Sequence, residues 1–75
     1  MTLQEFIKEK KILVCEYKRF RDRVAHPDYN LAWTNDQWNN RMKGRTQLKD
    51  SEVFTLGYIL ETVRQEDRAK ELHTL

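Results

Sequence analysis

One proline and two glycines are spread over 75 residues. The chain therefore lacks the breakers that a sheet or loop-rich fold needs at its turns. No segment alternates apolar and polar residues as a strand would. A lone cysteine, Cys15, excludes an internal disulfide and a thiolate cluster, and fits a reducing, cytoplasmic setting. The two histidines, His26 and His73, lie far apart with no acidic pair at ligand spacing, so no metal site is expected. A glycine-rich phosphate loop, a His-Glu-x-x-His pair and a cysteine pair are all missing, so the chain reads as a non-enzyme with no catalytic residues and no cofactor. No apolar run is long enough to span a membrane. The opening Met1-Thr2-Leu3-Gln4-Glu5 is too polar for a secretion signal. No membrane partner is expected.

What remains is helix-forming. Hydrophobic residues make up 39% and charged residues 35%, enough apolar side chain for one small core under a wet surface rather than a disordered tail. The fold class implied is all-α, a single three- to four-helix domain over residues 1–75.

Thr2 and Glu5 form a capping-box pattern that starts a helix at Leu3. Leu3, Phe6, Ile7, Leu13, Val14, Tyr17, Phe20 and Val24 then recur at helical spacing, and one helix over about 3–25 is the simplest reading. A break near residues 10–12 is the alternative. Cys15 falls beside that apolar face and reads as a structural thiol. His26 precedes Pro27, which pushes it out of the helical region. It reads as a helix-end or surface residue. Pro27-Asp28-Tyr29-Asn30 is turn chemistry.

A final helix is expected over about 51–66, capped by Asp50 or Ser51, with Glu52 in its first turn. Val53, Leu56, Gly57, Leu60 and Val63 share one face, flanked by Phe54 and Ile59. Gly57 either admits a close neighbour or is neutral. From Arg64 onward the apolar face ends, and a looser tail is expected.

The segment with the clearest written ends is Trp33 to Thr46. Thr34-x-x-Gln37 is a capping box, and Trp33 and Trp38 occupy the two positions of a hydrophobic staple. Gly44 suits the left-handed residue that ends a helix. A helix over 35–43 follows, too short to stand alone in water. Trp38 and Met42, four apart, are its packing anchors. Its other side chains are amides and cations.

Charge is uneven although the net value is only +2. Lys8 to Arg23 holds seven cations against three acids, and Arg41 to Lys49 holds four cations and no acid. Residues from Asp50 onward are net acidic. A basic first two-thirds points to an anionic partner, and the plainer reading is an ordinary solvated helix surface.

Thr34, Trp38, Arg41, Met42, Gly44, Arg45 and Thr46, followed by Leu48, Glu52 and Leu60, resemble the second half of a Cro/repressor-type helix-turn-helix domain. Such domains are found in regulators of phages and mobile elements. The likeness spans about residues 17–60, with Tyr17 to Ala25 as the first helix of the motif. Two features depart from that family's pattern. The lead-in from Pro27 to Trp33 is seven residues, where the family has a tight turn, and one long first helix stands where it has two short ones. The resemblance implies sequence-specific binding of double-stranded DNA by a transcription regulator. The recognition helix would be 35–43, and the contacts would come from Thr34, Asn35, Gln37, Asn39, Arg41, Lys43, Arg45 and Lys49. It also implies a homodimer on paired half-sites. The alternative is a small interaction protein, an inhibitor or adaptor, that docks an amphipathic helix face on a host protein.

Overall fold

A computed structural model describes the backbone of residues 1–73 and the side-chain environments of residues 1–69. The described residues form four helices and no strand: α1 Leu3–Glu9, α2 Val14–Ala25, α3 Asn35–Met42 and α4 Asp50–His73. At 1.5 Å per residue, the 24 residues of α4 run for roughly 36 Å. They set the long dimension of a body measuring 44 × 25 × 20 Å. No helix among the described residues is long and apolar enough to cross a membrane.

The simplest expectation for the N-terminal half, one helix over 3–25, is corrected. The helix breaks after Glu9 and restarts at Val14. Thr2 caps the start of α1, its hydroxyl accepting the Glu5 N–H at 3.1 Å. At the other end Lys11 adopts φ +52°. The Lys11 N–H donates to the Lys8 carbonyl, and the Ile12 N–H donates to the Ile7 carbonyl, both at 3.2 Å. That pair of bonds is a Schellman ending, here with lysine where glycine is usual. Ile7 and Ile12 supply the apolar pair that accompanies such an ending, and both pack against the core.

Helix α2 begins without a side-chain acceptor at its N-cap, Leu13. Instead the Glu16 carboxylate reaches back to accept the Leu13 N–H at 3.0 Å. The restart shifts the helical phase, and so Leu13 and Val14 leave the apolar stripe; Val14 is 93% exposed. Cys15 is exposed too, rather than packed as expected.

The core gathers Leu3 and Phe6 from α1, Phe20 and Val24 from α2, Trp33 and Trp38 around the start of α3, Leu48, and Leu56, Ile59 and Leu60 from α4. Phe6 stacks on Phe20 with ring centres 6.2 Å apart. On α4 the expected roles of two flanking residues separate. Ile59 is fully buried, whereas Phe54 is 79% exposed. A side chain at Gly57 would meet nothing within 4 Å, so the glycine accommodates no close neighbour.

Helix α4 also runs past the expected end near residue 66, continuing to His73. Its polar second half is held by charge rather than by apolar burial. Arg19 of α2 donates to Glu66 at 3.0 Å and also pairs with Asp67. Arg23 donates to both oxygens of Glu66 at 2.7 Å. Part of the basic cluster on α2 is thus neutralised within the chain.

Candidate nucleic-acid interface

Both ends of α3 are built as the residue pattern predicts. The Thr34 hydroxyl accepts the Gln37 N–H at 3.3 Å, and the Gln37 side-chain oxygen accepts the Thr34 N–H at 2.8 Å. Trp33 and Trp38 close the staple with ring centres 6.3 Å apart. At the C-terminal end Gly44 has φ +76°. The Gly44 N–H donates to the Arg41 carbonyl at 3.2 Å, and the Arg45 N–H donates to the Asn40 carbonyl at 2.9 Å. This is the second Schellman ending of the chain.

Trp38 attaches α3 to α2. Its ring makes edge contacts with Tyr17 at 6.0 Å and Phe20 at 6.2 Å. Met42 packs against the same core. Burying that side turns the opposite side outward. Thr34, Asn35, Gln37, Asn39 and Lys43 are exposed, as are Arg45 and Lys49 in the segment that follows. Asp36 is exposed among them and Asn40 is half-buried.

Arg41 stands apart from the other seven candidates. Its Nη2 donates to Glu52 of α4 at 3.2 Å, and its Nη1 donates to the Gln37 carbonyl at 3.2 Å. Its guanidinium lies 4.3 Å over the Trp33 ring. Its Nε is buried and has no hydrogen-bond partner. A half-buried cation between two helices and an indole is a structural link, and as placed it offers no free charge at the surface. Glu52 also accepts the Lys49 N–H at 2.8 Å and so caps the start of α4.

Two residues outside the expected set join this surface. Arg21 of α2 donates to the Asn35 side-chain oxygen at 3.4 Å, and its guanidinium lies 5.8 Å from the Trp38 ring. Lys18 is exposed one turn earlier. Tyr17, Lys18, Arg21, Asp22, Ala25 and Asn35 line a shallow cleft between α2 and the start of α3. Three-residue spacing of Lys18 and Arg21 on the polar side of α2 is the signal that places them together.

On the far side of the fold, Glu16 is only 7% exposed. Burial pushes its carboxyl up, but the Arg64 hydrogen bond, the Leu13 N–H and the Arg64 charge outweigh this and hold it below its ordinary value. Among the described residues no group of three or more His, Cys, Asp or Glu is placed to hold a metal ion.

The arrangement is a short helix anchored by Trp38 and Met42, with Asn35, Asp36, Gln37 and Asn39 exposed on it, Lys43, Arg45 and Lys49 exposed just after it, and Lys18 and Arg21 of α2 beside it. No family model, curated protein or solved structure matches the chain.

Proposed function

We propose that the chain is a sequence-specific DNA-binding regulator that lays the outer side of α3 in the major groove. One observation carries the reading: Trp38 and Met42 fasten the helix from within, and this leaves Asn35, Asn39, Lys43 and Arg45 exposed. Amides on a rigid helix suit base edges, and the cations at its C-terminal end suit phosphates. Lys18 and Arg21 extend the cationic rim on α2, and Lys49 extends it beyond α3. The division of the N-terminal half into two short helices agrees with the pattern of repressor-type domains. The nine residues between α2 and α3 remain longer than the turn of that pattern. A homodimer on paired half-sites is the assembly this reading expects.

Binding to duplex DNA across a salt series tests it. Four phosphate contacts, from Lys18, Lys43, Arg45 and Lys49, give a slope of log affinity against log salt of roughly −3 to −4. No binding to any duplex at low salt would sink the reading.

A second reading, an interaction protein acting through a helix face, is favoured by a different observation. Phe54 and Tyr58, four apart on α4, are 79% and 63% exposed. They flank Gly57 in a groove that Lys10, Val53 and Glu61 complete. Large apolar side chains grouped on a surface mark contact sites. Sedimentation of the purified chain, alone and as a Phe54→Ser/Tyr58→Ser variant, tests this reading for self-association. DNA binding that survives in the variant would separate the two surfaces.

A further inference from the structure

Helix α4 buries one face and leaves the opposite one bare. Leu56, Ile59, Leu60 and Val63 are buried. Asp50, Phe54, Tyr58, Glu61, Gln65 and Arg68 are all exposed. At 3.6 residues per turn these six fall on one arc about 80° wide, on the side away from that core. Phe54 and Tyr58 are its apolar part, and the open notch at Gly57 lies beside them. Charge is ordered along the face, with Asp50 at one end and Arg68 at the other. The two stand 18 positions apart, which is about five full turns, so they lie on the same edge of the face, roughly 27 Å from each other. No ion pair among the described residues uses Asp50, Glu61 or Arg68.

We propose that this face of α4 binds a second copy of the chain through an antiparallel, two-fold α4–α4 contact. The inference rests on the helix-face reading, whose partner it names, and it does not need DNA binding. In an antiparallel pair about a two-fold axis, each edge of the face meets the same edge of the other copy in reversed order. Asp50 of each copy then meets Arg68 of the other, once at each end of the contact. Those pairs set the register and put the two-fold axis near residue 59. Tyr58 faces Glu61 of the second copy, phenol to carboxylate, and Phe54 covers the stem of Gln65. A parallel pair would set Asp50 against Asp50 and Arg68 against Arg68, so the charge order selects the antiparallel direction. Two rings per copy on a narrow face bury less than the roughly 1,200 Å² of a standard interface, so the dimer is weak and exchanges with monomer.

Sedimentation equilibrium of the full chain from about 10 μM to about 1 mM, the range in which a contact this small associates, tests this. The average mass should rise from 9.2 kDa toward twice that value. Phe54→Ser/Tyr58→Ser should stay monomeric. Asp50→Arg and Arg68→Asp, each alone, set like charges together at both ends and should weaken association about three- to tenfold. Asp50→Arg/Arg68→Asp restores opposite charges in the reversed order and should return association to within about twofold of wild type. Arg68→Asp sits at an exposed site beyond the core, so it carries the test if Asp50→Arg disturbs the start of α4. A chain that stays monomeric throughout, or single swaps that leave association unchanged, would overturn the inference. Association lost in the serine variant but not rescued by the double swap would overturn the antiparallel pairing and leave the helix-face reading standing. Association that survives in the serine variant would overturn both.

Discussion

Arg64 of α4 donates from Nε to the Glu16 carboxylate of α2 at 3.0 Å, and its Nη2 donates to the Lys10 carbonyl at the end of α1 at 2.8 Å. One guanidinium thus joins three helices at the point where the first helix breaks. Glu16 is nearly buried, and it also holds the Leu13 N–H. Arg64→Ala leaves that carboxylate without its partner. Removing one member of a buried pair costs about 3–5 kcal/mol, but Arg64 keeps a quarter of its side chain in water, so a loss of about 2 kcal/mol is expected. Urea unfolding of wild type and variant measures it.

The same pair sets a pH dependence. The Glu16 carboxyl is lower in the folded chain than its ordinary value of 4.5. The unfolded chain therefore binds a proton more readily, and stability is present in full above the ordinary value. It is lost as pH falls through the lowered folded value. The urea midpoint should drop below about pH 4.5, and Glu16→Gln should flatten that part of the profile. A Gln variant with an unchanged acid limb would show that other carboxylates carry the effect.

Lys11 and Gly44 end their helices in the same left-handed conformation, at φ +52° and +76°. An L-residue there costs about 1–2 kcal/mol, partly offset by the greater entropy glycine loses on folding. Lys11→Gly should stabilise the fold by about 0.5–1 kcal/mol, and Gly44→Ala should destabilise it by about 1 kcal/mol. A Cβ at Gly44 would meet nothing within 4 Å, so backbone strain alone carries that loss. Thermal melts of the two variants should move in opposite directions.

Arg41 and its neighbours Lys43 and Arg45 should part company on mutation. Arg41→Ala removes the Glu52 pair and the Trp33 stack and should lower stability by about 1–2 kcal/mol. Lys43→Ala/Arg45→Ala touches exposed side chains and should leave stability within about 0.5 kcal/mol. In a DNA titration the double variant should make the salt slope shallower by about 2. An unchanged slope would take these two residues out of the interface.

Phe54 and Tyr58 give a contrasting expectation. Core aromatics such as Phe6 and Phe20 should cost about 3–5 kcal/mol on truncation to Ala. Phe54→Ser/Tyr58→Ser should change the unfolding free energy by less than about 1 kcal/mol, because both rings already face water.

Much of α3 is legible in the residue pattern. Thr34, Gln37, Trp33, Trp38 and Gly44 act through bonds and contacts within one or two helical turns, so their spacing alone announces the helix and its ends. The buried side of α4 is legible for the same reason, since Leu56, Leu60 and Val63 keep helical period. Residues 10–13 are not. A lysine in the left-handed region carries no local signature, although the Ile7–Ile12 pair at Schellman spacing is a signal that marks the ending. Charge is legible as an asymmetry but not as an answer to what neutralises it.

The chain by itself determined three things: helical class, the two written ends of α3, and the anchoring of that helix by Trp38 and Met42. All of these follow from local periodicity and capping. Tertiary structure decided which charges remain available. It set Arg19 and Arg23 against Glu66 and Asp67, drew Arg41 between Glu52 and Trp33, and turned the Asn35 oxygen toward Arg21. Most of those partners lie far apart in sequence, as with Arg19 and Glu66 at 47 positions and Arg41 and Glu52 at 11. No period or motif in the chain encodes such a distance; only the packing of α2, α3 and α4 against one core brings them within reach.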